Sequence, residues 1–493
     1  MSPSSAHVDL TKTICAIATP PGRGGLGIVR LSGPDAIAIA DRIFQGHSKL
    51  SEQEGYTVHH GFAVDSRTHA EIDEVLATLF RAPRSYTGED LVEFSAHGGQ
   101  LVLSRIVDAC IAAEAIPAQP GEFTLRAFLN GRIDLTEAEA VADLIAAKTD
   151  ESSAAALAQL KGQLHEEILA LRAGIIAALA RLEIGIDFTE EDIAPSEIAG
   201  VRDRIQEVRG RVLRLLRSYD RGRVLREGFT VVLAGPPNSG KSTLFNRLAQ
   251  DERAIVTDIP GTTRDILREY INLNGWPVCI LDTAGMRESA DVVERIGVER
   301  AEHAIKEADG VIWLIDSTTD VTPQLPVIDE KSNRTPWAIC CNKSDVSSVL
   351  SIVSQRLTSK SEIASEHGQP VEHDIGGPDT PVRPRCDDTR VLEISAKTGA
   401  GIDELLKTVS AWIEPIGTAR SGGTFAINDR HRRALQSADA ALASALESLA
   451  RADGVELAAF DARNAALHLG EIIGETTTED VLTEVFKNFC IGK

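Results

Sequence analysis

The chain has 493 residues, too many for one ordinary hydrophobic core, so roughly two to four domains are expected. Its apolar content is 43%, yet no run approaches the roughly 18–20 apolar residues of a membrane helix, and the N-terminus lacks the basic region, apolar core and cleavage site of a signal peptide. A cytoplasmic location away from membranes is expected, and a formal net charge of −22 excludes a chain that binds polyanions over its whole surface.

Up to about residue 120, short strand-like runs alternate with Gly/Pro turns, as in "ICAIATPPGRGGLGIVRLSG" and "LATLFRAPRSYTGEDLVEFSAHGG", and Leu101 to Ala115 has helical spacing. A small α+β domain over 1–122 follows. Helical periodicity then dominates. Leu157, Leu160, Leu164, Ile168, Leu171, Ile175, Leu179 and Leu182 step by three and four, as do Val201, Ile205, Val208, Val212 and Leu215, which predicts long packed helices over 123–225. Within 226–420, "FTVVLAG", "VCILDTAG", "GVIWLID", "PWAICCNK" and "RVLEISAK" are buried-strand runs, each ending in a polar loop, and a parallel sheet with helices is expected. From 421 to 493 the helical pattern returns. The fold class predicted is therefore multidomain: a small α+β domain, a helical-bundle domain, and an α/β domain inserted between the two helical halves, which the motifs that follow make a P-loop GTPase domain of the Ras-like kind. The stretch 346–390 opens with a short helix-like segment and then becomes rich in Ser, Glu, Pro and Asp, the composition of a disordered surface insertion.

Gly235-Pro-Pro-Asn238-Ser239-Gly240-Lys241-Ser242-Thr243 follows the first of these strands and opens a helix. The glycines let backbone N–H groups face phosphate oxygens, Lys241 suits the β/γ-phosphates, and the Ser242 hydroxyl can ligate Mg²⁺. Asp282-Thr283-Ala284-Gly285 ends the second strand, where a carboxylate can hold Mg²⁺ and an N–H can sense the γ-phosphate. Asn342-Lys343-Ser-Asp345 selects guanine, because a carboxylate accepts from its N1–H and N2–H together; Ser395-Ala396-Lys397 closes the base pocket. Between them lies Thr257-Asp-Ile259-Pro-Gly-Thr262-Thr263, with Thr263 the expected second hydroxyl on Mg²⁺. These segments in this order predict GTP binding and hydrolysis. The water-orienting Gln that often follows such a DTAG segment is Met286 here, and no arginine finger stands out by spacing.

The chain resembles the MnmE (TrmE) family of tRNA-modification GTPases over essentially its full length. The matching segments are "PPGRGGLGIVRLSG", "SYTGEDLVEFSAHGG", "PGEFTLRAFLNGRIDLTEAEAVADLI", "GPPNSGKST", "TDIPGTTRD", "DTAGMRESADVVERIGVERA" and the terminal "FCIGK". The resemblance implies K⁺ in place of an arginine finger, held by Asn238, Thr257, Ile259 and Thr262, and a water-orienting glutamate at Glu294; Arg287 is a further switch candidate. It also implies an N-terminal domain that forms a homodimer and binds 5,10-methylene-tetrahydrofolate through Arg30, Glu93, Arg132 and Lys493, and a role in modification for Cys490. Arg132 stands where the family often has Lys, and the two cations differ in geometry. The implied activity places an aminomethyl-type group on C5 of the wobble uridine of certain tRNAs, with a flavoprotein partner of the MnmG (GidA) kind that carries FAD and much of the tRNA-binding surface.

Two other readings compete. A GTP-dependent ribosome-assembly switch would share the GTPase segments and would be expected to carry a basic RNA-binding module, which the linear sequence does not show. A folate-binding protein with a regulatory GTPase domain would have no effect on tRNA. The seven cysteines form no CxxC or Cys/His cluster, so neither zinc nor a disulfide framework is expected.

Overall fold

The computed structural model describes residues 9–187, 195–250, 253–255, 267–282, 303–325, 335–355, 390–418, 425–451, 454–487 and 489–493. The first section folds as β1 (Ile14–Ile17), β2 (Gly24–Ser32), α1 (Ala36–Ile43), β3 (Phe44–Gly46), β4 (Thr57–Val64), β5 (Glu71–Phe80), β6 (Leu91–Gly98), α2 (Gln100–Ala112), β7 (Ile116–Pro117), α3 (Glu122–Leu129) and α4 (Leu135–Ala146). Its strands form one sheet in the order β3-β4-β5-β6-β2-β1-β7, antiparallel except for β1 beside β7. Helix α1 buries Ala36, Ile37, Ile39, Ala40 and Ile43, one stripe at helical spacing. With Leu103, Ile106 and Cys110 of α2 it packs on Val29, Leu31, Val75, Leu79 and Phe94. The α+β expectation is met. Strands β3 and β4 and helix α1 were not legible in the sequence.

Helices α5 (Asp150–Leu160), α6 (Gln163–Asp187), α7 (Pro195–Arg217) and α8 (Tyr219–Glu227) follow. The predicted apolar stripe is correct for Leu164, Ile168, Leu171, Ile175, Leu179 and Leu182 on α6 and for Val201 to Leu215 on α7, all buried. It fails at Leu157, which is 41% exposed. Gly162, at φ 81°, ends α5 and resets the helical phase before α6, so α5 buries Ala155 and Ala156 instead.

The third section comprises β8 (Phe229–Ala234), α9 (Lys241–Ala249), β9 (Ala254–Ile255), β10 (Leu267–Leu273), β11 (Trp276–Asp282), β12 (Gly310–Asp316), β13 (Trp337–Asn342), β14 (Arg390–Glu393) and α10 (Ile402–Thr418). The five predicted strand runs are β8, β11, β12, β13 and β14, and they are mutually parallel in the order β14-β13-β12-β8-β11. Strand β10, absent from the sequence reading, adds antiparallel to β11, and β9 adds antiparallel to β10. The chain ends in α11 (Asp429–Ser448), α12 (Val455–Ile473) and α13 (Glu479–Phe486). Helix α11 packs antiparallel to α7: Arg209 Nε donates to Asp439 Oδ1 at 2.7 Å, and Tyr219 Oη to Asp429 Oδ1 at 3.0 Å.

The chain divides into two compact units. One holds residues up to Ala142 with Leu160–Arg172 and Leu467–Lys493; the other holds Asp143–Gln159 and Ala173–Ala466. Among the described residues no helix is long and apolar enough to cross a membrane. Of the 346–390 segment, residues 356–389 lie outside the described residues.

Candidate functional site

In the second unit, the predicted phosphate, magnesium and base segments converge at the carboxyl ends of the parallel strands. The loop after β8 turns on two glycines that no other residue can replace. At Gly235, φ is 133° and a Cβ would stand 2.3 Å from the Leu314 carbonyl oxygen; at Gly240, φ is 97° and a Cβ would stand 2.1 Å from Asn342 Nδ2. Asn238 is also left-handed, at φ 64°, a conformation that asparagine tolerates. Lys241 is 7% exposed, and its Nζ donates to Gly235 O at 2.9 Å and Pro236 O at 2.8 Å, so its charge lies inside the curl of the loop. Lys241, Ser242 and Thr243 open α9, whose N-terminus points its dipole the same way.

Asp282, fully buried at the end of β11, accepts from Ser242 Oγ at 2.9 Å. A hydroxyl and a carboxylate so placed are hard oxygen donors on one side of the phosphate loop, and they fit Mg²⁺.

Asn342, at the end of β13, ties three loops together. Its Nδ2 donates to Ser239 O at 2.8 Å and its Oδ1 accepts from Ala396 N at 2.9 Å. The phosphate loop and the base-closing loop therefore share one side chain. Asp345 Oδ1 accepts from Ser395 Oγ at 2.6 Å, which fixes the carboxylate that would face guanine. Lys343, at φ 66°, places Nζ 2.5 Å from Asp316 Oδ2 at the end of β12. Burial opposes ionisation of Asp316, but hydrogen bonds from Lys343 and Thr318 hold its carboxyl below the ordinary value. Asp316 was missed in the sequence, although it too ends a parallel strand. The Lys397 carbonyl accepts from Arg247 of α9 at 3.5 Å. Thr257, Ile259, Thr262, Thr263, Thr283, Ala284, Gly285, Arg287 and Glu294 lie outside the described residues.

In the first unit, Arg30, Glu93, Arg132 and Lys493 come together from distant points of the chain. Arg30 of β2 faces Glu93 across the antiparallel pair, with Nη2 at 2.7 Å from Oε1. Its guanidinium lies over Tyr86 and Phe123, 5.2 and 5.5 Å from the ring centroids. Arg132 covers the Tyr86 ring at 5.2 Å and donates to Tyr86 O at 2.9 Å. The C-terminal tail closes the group. Arg30 Nη1 donates to Gly492 O at 3.2 Å, and Gly121 N donates to Cys490 O at 3.4 Å. Burial and the neighbouring Arg30 charge lower the Lys493 pKa, while Glu93 opposes the shift. Cys490 is exposed, whereas Cys15, Cys110, Cys279, Cys340 and Cys341 are buried. Burial pushes Cys341 up to about 11, far from a reactive thiolate. Nothing in the linear sequence marks Tyr86 or Phe123, because a ring flanked by two arginines is visible only in three dimensions.

A glycine-turned phosphate loop, a buried strand-end aspartate beside Ser242, and a guanine-reading Asp345 make this a P-loop GTPase, a GTP hydrolase. The family description "MnmE helical domain" matches residues 135–490, and "GTP-binding protein TrmE N-terminus" matches 13–132. The tRNA modification GTPase MnmE of Acetivibrio thermocellus is 41% identical, over 98% of this chain and 99% of its own. That of Chloroflexus aurantiacus is 44% identical over 98% and 100%, and that of Geobacter metallireducens 40% over 98% and 100%. The chain belongs to the MnmE family of tRNA modification GTPases.

Proposed function

We propose that this GTP hydrolase acts in tRNA modification as a K⁺-activated enzyme that helps to place an aminomethyl-type group on C5 of the wobble uridine. It works as a homodimer in the cytoplasm with an FAD-bearing partner of the MnmG (GidA) kind, and that partner supplies much of the tRNA contact. The observation that carries the reading is the cluster of Arg30, Glu93, Arg132 and Lys493 around Tyr86, in a chain that also brings together a phosphate loop and the guanine-reading loops. Such a cluster suits a reduced folate: cations for its glutamate carboxylates, a carboxylate for its aminopyrimidine edge, and aromatic rings for its planar rings. When bound, methylene-tetrahydrofolate supplies the one-carbon unit. Arg30, Glu93 and the tail hold and orient it, and Cys490 lies beside them.

In the nucleotide site, Lys241 neutralises the β/γ-phosphates and the loop N–H groups cradle them. Ser242, Thr263 and Asp282 would hold Mg²⁺, directly or through water. Asn238, Thr257, Ile259 and Thr262 would hold K⁺, which would supply positive charge to stabilise the transition state. Glu294 orients the attacking water in place of the glutamine that Met286 replaces. Glu294→Ala is expected to leave GTP affinity intact and to cut turnover about 10²-fold; unchanged single-turnover rates would remove Glu294 from the reaction. Exchanging K⁺ for Na⁺ at constant ionic strength is expected to slow hydrolysis of the wild type by a similar factor.

The folate reading is tested by equilibrium dialysis with 5-formyl-tetrahydrofolate. Arg30→Ala is expected to weaken binding at least about 10-fold by removing a charge-assisted contact. Equal binding by the variant would sink the assignment.

A further inference from the structure

The protein carries a net charge of −22, yet in its second unit six arginines gather with only two acids in two short segments. They lie where the last turn of α7 and the start of α8 meet the start of α11. The segment 214–221 carries Arg214, Arg217 and Arg221, and 429–433 carries Arg430, Arg432 and Arg433; the acids among them are Asp220 and Asp429 alone. Contacts fix the two segments side by side although they lie 210 residues apart in the chain. Tyr219 Oη donates to Asp429, and the Arg432 guanidinium lies 4.2 Å from the centroid of the Tyr219 ring.

Many arginines of these helices have structural employment. Arg209 pairs with Asp439, Arg223 with Asp309, Arg432 with Asp429, and Arg226 donates to the carbonyls of Ala426 and Ile427. Arg214, Arg217 and Arg433 are different. All three are exposed, and no carboxylate among the described residues pairs with them.

We infer that Arg214, Arg217 and Arg433 form a docking surface for the phosphate backbone of tRNA. This rests on the proposed action in tRNA modification and adds a direct contact made by this chain. Charge complementarity favours RNA over an acidic protein. A protein interface needs apolar anchors at its centre, and none of the exposed large hydrophobic residues falls within 214–221 or 429–433. Phosphate recognition needs only guanidinium groups, which grip phosphate oxygens in pairs. On a chain whose mean charge repels RNA, such a contact must be local.

The test is fluorescence anisotropy of a labelled tRNA transcript with uridine at the wobble position, titrated with full-length protein over a range of KCl concentrations. The variant Arg214→Ala/Arg217→Ala/Arg433→Ala keeps good helix formers at exposed sites. It is expected to lose about 10- to 100-fold in affinity at 0.1 M salt, and the slope of log affinity against log salt should fall by about 2 to 3. A control, Arg105→Ala/Lys161→Ala/Lys407→Ala, removes the same charge from other exposed positions and should leave both quantities unchanged, as GTP hydrolysis should be in both variants. Equal affinity of the first variant and wild type would overturn the inference, as would an equal loss in the control or no binding by the wild type. Intact tRNA binding with lost binding of the flavoprotein partner would reassign the surface to a protein. The function itself is judged separately by the wobble-uridine content of cells carrying Lys241→Ala: loss there with unchanged tRNA affinity in the arginine variant rejects this surface alone, and no loss there rejects the proposed role in modification.

Discussion

Lys241→Ala is expected to lower kcat/KM for GTP by about 10³-fold or more, and cells carrying it as the sole copy are expected to lose C5-aminomethyl-type wobble uridines from total tRNA while other modified nucleosides persist. The size of the effect follows from the position of the amine. Lys241 is almost fully enclosed by the loop, its Nζ at 2.8–2.9 Å from two loop carbonyls, so its charge is fixed before nucleotide arrives. In so enclosed a place a cation on the β/γ-phosphates acts at low effective dielectric and without reorganisation. Alanine removes the charge and leaves the loop's backbone shape to its glycines, so residual nucleotide binding through the N–H groups is expected. Mass spectrometry of tRNA nucleosides reads the consequence. A profile equal to wild type, with ribosomal subunit defects, would favour the assembly-switch reading instead.

The GTPase site was legible in the sequence because each of its parts is local. A phosphate loop needs particular glycines within nine consecutive residues, and the base-reading segment needs its Asn and Asp three apart. Each follows a run of buried-strand residues, which fixes both the fold of the domain and the edge of the sheet on which the site lies. What stayed hidden depends on residues far apart in the chain. The double use of Asn342, holding Ser239 with one end of its amide and Ala396 with the other, follows from strand order and not from spacing. The stack of Arg30, Tyr86 and Arg132 draws on three separate segments. The break at Gly162 was hidden for another reason. Leu157, Leu160 and Leu164 keep a helical step across it, so periodicity alone runs through the glycine, and only its left-handed φ shows that the stripe restarts. Strand β10 was missed because "LREYINL" mixes charge with apolar residues, as an antiparallel strand near a sheet edge does.

Arg126→Met is expected to destabilise the first unit by about 3–5 kcal/mol, seen as a lower midpoint in urea unfolding followed by near-ultraviolet dichroism. Arg126 is the largest fully buried side chain in the protein among the described residues, at 0% exposure. Its Nη2 donates to Glu122 Oε1 at 2.8 Å, and its Nη1 to Glu89 Oε1 at 3.1 Å and Lys12 O at 2.9 Å. Both carboxylates are otherwise satisfied, Glu122 by Gln119 N and Glu89 by Ser32 Oγ, so the network closes with one cation between two anions. A buried ion pair contributes little net stability while whole, since desolvation offsets the attraction; removing one partner leaves the other charges buried and unanswered. Here two carboxylates would be stranded, the unfavourable case. Arg126→Lys should recover part of the loss, because it restores the charge but cannot reach both acids with one fork. Arg126→Met with Glu122→Gln and Glu89→Gln should recover more, because it removes the stranded charges together. If the triple variant is no more stable than Arg126→Met, the cost lies in packing around the guanidinium and not in its charge. Because α3 also carries Phe123 beneath Arg30, loss of the network should loosen the Arg30 cluster before the GTPase loops of the other unit, so the variant should weaken folate binding at temperatures where GTP affinity is still intact.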